Sequence, residues 1–252
     1  MRFIIPAAPA RSLRLAAAAL AFTALPSAWG QTATDLRGIW EARNTANANL
    51  ESTHVIIDPP NGKIPYLPGA LATRKQNFRN RATADPETRC FQPGVPRATY
   101  LSSPFQIFQN ARAVYIVYQD VHAYRIIYLD GSPHNQGLPW AMGDSRGHWE
   151  GNTLVADVTS FSDATWLDGA GNYHSDELHV VERYTRSARD TLMYEATIED
   201  PLVFARPWKI RMPLRLQTGP GAQILEDECV EDERGVRQHV PPFRGGKPGT
   251  SE

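Results

Sequence analysis

The feature that most constrains this chain is a series of short segments rich in Ile, Val, Tyr and Phe, set at short regular spacing and broken by turn residues. They cover 105–110, 113–119, 123–129, 148–150, 153–159, 178–185, 191–199, 208–216 and 223–230. Segments of this composition and length, bounded by Gly, Asp and Asn, form antiparallel strands. Asp130-Gly131, Gly151-Asn152 and Arg189-Asp190 supply turns. Apart from one short basic helix expected over 71–80, helical periodicity is almost absent, so the fold class is mostly β, a closed barrel or a sandwich.

Gly38-Ile39-Trp40 near the start resembles the Gly-x-Trp on the first strand of lipocalin-like (calycin) barrels, and that resemblance implies the barrel, with the Trp plugging one end. The expectation is an antiparallel calycin-like barrel with long loops, notably the proline-rich 58–69, the irregular 89–104, and 131–146 and 163–176.

The chain ends bear on compartment. Arg2, Arg11 and Arg14 precede an apolar stretch over 15–25, and Ala28-Trp29-Gly30 has the small residues of a cleavage site. Residues 1–30 are expected to be a signal peptide, 31–234 a single β-barrel domain and 235–252 a flexible tail. The apolar stretch is shorter than the roughly 20 residues a membrane-spanning helix needs. A periplasmic or secreted location follows. Export by the general route would deliver the chain unfolded, so any cofactor would be acquired outside the cytoplasm. Loss of three arginines with the leader takes the net charge from −1 to −4, which argues against a nucleic-acid partner. Cys90 and Cys229 are the two cysteines, and an even pair in an oxidising compartment is expected to close a disulfide.

Chemistry-bearing residues crowd the two long loops and their flanking strands, where five of the seven histidines fall between 122 and 179. By strand parity His122, Tyr124, Ile126 and Tyr128 share one face, with Arg125, Ile127 and Leu129 opposite. His179, Val181 and Arg183 likewise oppose Leu178, Val180, Glu182 and Tyr184. The His–Tyr face suits either a lumen holding a polar aromatic or sugar-like ligand, or a solvated wall carrying an aromatic ladder. Asp168 and His174 flank the Gly169–Gly171 turn, so they can meet as an acid–base dyad, or can simply pin the loop. The catalytic set is taken as His174, Asp168, His122 and Asp144; the substrate-binding set as Tyr124, Arg125, Arg146, Trp149, Trp166 and His179. Arg146 would steady a developing oxyanion. No organic cofactor is expected: the chain lacks a Gly-x-Gly-x-x-Gly after a strand, and Gly-x-Ser-x-Gly is missing too. A metal held by His122, His134 and His174 with a carboxylate stays open, but no ligand spacing specifies it.

The runs WAMGDSRGHWEGNTLV over 140–155 and TWLD over 165–168, then Gly171, His174-Ser175 and Leu178-His179-Val180-x-Glu182-Arg183, resemble a large family of secreted bacterial proteins common in soil lineages. The resemblance spans 86–229 and marks Asp144, Arg146, Trp149, Trp166, Asp168, His174, His179 and Glu182 as family positions; that family has no settled activity to carry over. Where this chain has His148 the family pattern usually shows Arg. The leading expectation is a cofactor-independent acid–base enzyme of lyase, hydratase or isomerase type, acting on a small oxygenated aromatic or sugar-derived molecule. A lipocalin-like binding protein without turnover is the first alternative, and a metal-dependent hydrolase the second.

Overall fold

A computed structural model describes residues 34–135, 137–231 and 237–240. The expected leader, the new terminus at Gln31 and most of the expected tail lie outside the described residues. The strands in chain order are β1 (Gly38–Glu41), β2 (Ile56–Asp58), β3 (Phe105–Gln109), β4 (Ala113–Tyr118), β5 (Tyr124–Tyr128), β6 (Asp144–Glu150), β7 (Thr153–Thr159), β8 (His179–Ala188), β9 (Thr191–Glu199), β10 (Trp208–Leu216), β11 (Glu228–Glu231) and β12 (Arg237–Val240). One α-helix, α1 (Pro68–Ala84), interrupts them.

Strands β1 and β3 to β10 pair in order, and β1 returns to β10, so nine strands close a barrel. β10 is long enough to serve two neighbours along the edge away from β9. Its Leu216 end pairs with β1, while Lys209 and Ile210 pair with β2. β11 and β12 form a separate two-stranded sheet, so the segment expected as a last barrel strand over 223–230 is a strand only in its final residues and stands outside the barrel.

The barrel is not wholly antiparallel: β5 and β6 run parallel. A parallel neighbour needs a long crossover, and residues 129–143 supply it. Sequence pattern places the next strand at His148, whereas β6 begins at Asp144 and its first residues complete the pairing with β7, Asp144 opposite Thr159. Only two β5–β6 register pairs form, Ile127 with Ser145 and Tyr128 with Arg146. The wall is thin at this seam.

Alternation fills the interior. On β10, Trp208, Ile210, Met212 and Leu214 are buried while Lys209, Arg211, Pro213 and Arg215 are exposed. Trp40 is fully buried and its indole N–H donates to the Leu36 carbonyl at 2.9 Å. Gly38 makes this possible: its φ is +139°, and a Cβ there would lie 2.6 Å from Leu216 Cδ1. Trp40, Tyr100, Tyr184, Tyr194 and Trp208 together occupy the lumen.

Helix α1 is longer than the expected 71–80. Pro68 opens it, where a missing N–H costs nothing. Ala70 is its buried residue. None of the described helices is long and apolar enough to cross a membrane.

Candidate functional site

Three polar assemblies stand out, and they have different characters. The first is the loop that carries Asp168 and His174. Asp168 is fully buried, and its two oxygens are consumed by donors of the turn and by the main chain at Leu50. Oδ1 accepts from the N–H of Ala170 (2.9 Å) and Asn172 (3.2 Å); Oδ2 accepts from Leu50 N–H (2.8 Å) and Asn172 Nδ2 (2.6 Å). Burial pushes this carboxyl above its ordinary range, opposed by those donors. His174, 2 % exposed, faces Ser175 O through Nδ1 (2.8 Å) and Thr165 Oγ1 through Nε2 (2.7 Å). A carbonyl only accepts, so Nδ1 carries the proton and the threonine hydroxyl donates to Nε2. The expected Asp168–His174 dyad is therefore corrected: each residue spends its polar atoms on the loop. The reason is the turn itself. Gly171 has φ +79°, and a Cβ there would meet Phe78 N at 2.6 Å, so the loop is clamped beneath α1. Trp166 belongs to the same loop, buried and bridged to Tyr173.

His174 should leave a mark on acid stability. Burial lowers its pKa below the ordinary 6.5. The unfolded chain takes up the proton as pH falls through 6.5, while the folded protein resists. The unfolded state then binds more protons, so stability is present above 6.5 and is lost as pH falls below it. Urea midpoints at pH 7 and pH 5.5 should differ more for the wild type than for His174→Gln; equal drops would remove His174 from the acid response.

The second assembly fills the barrel. Arg125 on β5 pairs with Glu182 on β8, both buried. Glu182 Oε1 also accepts from the hydroxyls of Tyr184 (3.0 Å) and Tyr194 (2.7 Å). Burial pushes these tyrosines well up, and Tyr118 to about 12, so they remain donors. Arg125 thus faces inward with Ile127, and Tyr124 and Tyr128 face out. Of the two roles open to the His–Tyr face, the lumen is overturned: the lumen has no room for it, and the inward β4 residues Val114, Ile116 and Tyr118 set the matching inward set on β5. His122 is not on the strand at all. It lies at φ +52° in a tight turn before β5.

The third assembly is on the outer wall at the β5–β6 seam. A groove of about 430 Å³ lies there, lined by Gln92, Tyr124, Tyr128, Asn135, Trp140 and Asp144, among others. Three of its rings are well exposed: Tyr124 (63 %), Trp140 (48 %) and Tyr128 (38 %). Asp144 is tied to its surroundings. Its Oδ2 meets His134 Nδ1 (2.9 Å) and Asn135 N–H (3.0 Å), and its Oδ1 meets Arg146 Nη2 (3.2 Å). Arg146 sits over Tyr128, 4.7 Å from the ring centre, and donates to Pro133 O. His134 Nε2 continues to Asp157 Oδ1 (2.8 Å), and Asp157 Oδ2 to His179 Nε2 (3.0 Å). The result is a continuous row, Asp144–His134–Asp157–His179, across the outside of β6, β7 and β8.

The site residues named from sequence are therefore divided. Tyr124 and Asp144 meet at the groove, with Arg146 supporting its rim; His179 stands at the far end of the row. Arg125 is in the barrel pair, although its strand segment borders the groove. Trp149 packs partly buried against the core. Asp168, His174 and Trp166 belong to the loop, and His122 to the tight turn. The His122, His134 and His174 set does not gather, and among the described residues no three His, Cys, Asp or Glu side chains group as metal ligands would. Sequence reasoning missed Trp140 and Asp157. Each left a signal: Trp140 is a large ring within a polar crossover, and Asp157 is a lone carboxylate in the apolar strand TLVADVT.

No family model matches the chain, and no curated protein or solved structure does either.

Proposed function

We propose that this protein binds a small oxygenated aromatic or sugar-derived molecule in the β5–β6 groove, outside the cytoplasm and without an organic cofactor. The observation that carries this reading is the trio Tyr124, Tyr128 and Trp140, exposed rings around a groove whose remaining lining includes Gln92, Asn135 and Asp144. Apolar platforms with a few placed polar groups are what such ligands require. The signal-like start, the disulfide and the resemblance to secreted bacterial proteins support the location. Gly38-Ile39-Trp40 and the closed barrel support calycin-type kinship, with the ligand on the wall instead of in the lumen.

Turnover is the second reading, favoured by one observation: the carboxylate and imidazole row ends at Asp144, inside the groove. Both His134 ring nitrogens face carboxylate oxygens, an arrangement suited to passing protons along the row. Product formation from a bound ligand, abolished in Asp144→Asn, would separate turnover from binding alone.

The test of the binding reading is a panel of oxygenated aromatics and sugars titrated against tryptophan fluorescence. Trp140→Ala should weaken any ligand found by about three- to tenfold, the range for one aromatic contact. Because Trp140 is half exposed, the melting temperature should hardly move. A ligand that binds Trp140→Ala and wild type equally would place binding elsewhere.

A further inference from the structure

Helix α1 differs in composition from the barrel that carries it. Its 17 residues include four cations, Arg74, Lys75, Arg79 and Arg81, and no acid. Fourteen of the 17 are exposed, so the helix runs as a ridge about 25 Å long over the outside of the protein. One stripe fastens it. Ala70 is buried, Arg74 Nε donates to Asn172 Oδ1 (3.2 Å) and Asn77 Nδ2 donates to Gly171 O (3.4 Å). Leu71, Lys75, Phe78, Arg79 and Ala82 follow one position on, at helical spacing, and share a neighbouring face that is open to solvent. Leu71 is 38 % exposed and Phe78 41 %. Cations flank this apolar pair on both sides. Arg81 lies 4.2 Å from the Phe78 ring centre on one side, and Lys75 and Arg79 stand on the other. The carboxylates around the helix are already engaged: Glu51 by Arg74 (3.8 Å), and Asp85 and Glu87 by the buried Arg97 (2.7 and 2.5 Å). Among the described residues no carboxylate pairs with Lys75, Arg79 or Arg81. The net charge of the whole chain is −1, but a charge acts on a surface only within a screening length, about 8 Å at physiological salt. On that scale the ridge is a cationic patch.

We propose that α1 docks on an anionic lipid surface, with its cations on the headgroups and Leu71 and Phe78 in the interfacial layer. Charge complementarity selects an anion as the partner. The ridge and its two apolar side chains select a membrane. A flat bilayer meets a protruding helix along its whole length, and its interface takes apolar side chains that sit between cations. A soluble polyanion, such as an acidic polysaccharide, would meet the same cations but offer Leu71 and Phe78 no apolar layer. Two apolar side chains are too few to anchor the chain by themselves, so attachment is peripheral, reversible and salt-sensitive. The contact is independent of what the groove binds.

The test is co-sedimentation of the whole protein with vesicles of phosphatidylcholine, alone or mixed with phosphatidylglycerol. Expected are binding to the mixed vesicles at low salt, little binding to phosphatidylcholine alone, and release at about 0.5 M salt. Each cation near such a surface is worth about fivefold in binding, so Lys75→Gln with Arg79→Gln should weaken it by about 25-fold. Phe78→Ser should weaken it by about three- to tenfold. These side chains are exposed, so melting temperatures should stay within about 2 °C of the wild type. Arg189→Gln with Arg215→Gln removes two exposed cations at the Leu216 end of β10 and should leave binding unchanged. Absence of binding to the mixed vesicles would overturn the proposal. Equal losses in the two double variants would overturn it too, by making net charge the cause. So would a Lys75→Gln, Arg79→Gln variant that loses binding to soluble dextran sulfate but not to vesicles, because the partner would then be a polyanionic chain.

Discussion

Arg125→Met is expected to cost about 3–5 kcal/mol of stability, the range for leaving one member of a buried ion pair without its partner. Glu182 is fully buried, and its carboxylate would keep two tyrosine hydroxyls but lose the cation it is paired with. In a domain of this size that is a large part of the whole, since stabilities run to about 5–15 kcal/mol. Urea unfolding followed by tyrosine and tryptophan fluorescence would measure it. The double substitution Arg125→Met with Glu182→Gln should recover more than half of the loss, because the charge is gone while an acceptor remains for Tyr184 and Tyr194. A single-variant loss under about 1 kcal/mol would mean that water reaches the pair and that the barrel interior is not dry.

Loss of the Cys90–Cys229 disulfide should rank beside it. The bridge joins residues 139 apart in sequence, so in the chain-entropy model it stabilises by about 5 kcal/mol, an upper figure because the reduced unfolded chain retains some structure. It ties the turn after α1 to β11, a strand that has no place in the barrel ladder. Without the bridge, β11 and β12 lose their covalent tie to the turn after α1, and a two-stranded ribbon is marginal by itself. Reduction, or Cys90→Ala with Cys229→Ala, should lower the melting temperature by roughly 10–20 °C, at 2–4 °C per kcal/mol for a chain of this size. Thiol titration of the denatured, unreduced protein should find none free. Two titrating thiols would refute the bridge.

Much of the architecture was readable in local pattern. The strands over 153–159, 191–199 and 208–216 fall where alternation and turn residues put them. The cysteine pairing needed only an even count and a compartment. The split of β8 into one face with His179 and another with Val180, Glu182 and Tyr184 follows from parity alone. The helix was found but cut short, because its added residues carry no apolar stripe and Ala70 alone among them is buried.

The site was far less readable, and the residues show why. Asp168 and His174 are six positions apart across a glycine turn, which fits both a dyad and a pin; Leu50, 118 residues from Asp168, helps decide for the pin. Arg125 lies among Tyr and Ile, and nothing local says that it faces inward; Glu182, 57 residues later, does. The row from Asp144 to His179 joins a crossover and three strands that meet only when the barrel closes. Residue order alone therefore sets the strand inventory, the alternation within each strand and the pairing of the cysteines, because those depend on neighbours along the chain and on residue count. Which face of each strand turns inward, the parallel step between β5 and β6 and the groove that step leaves all come from the folded barrel, because closure sets register between segments whose local patterns allow more than one.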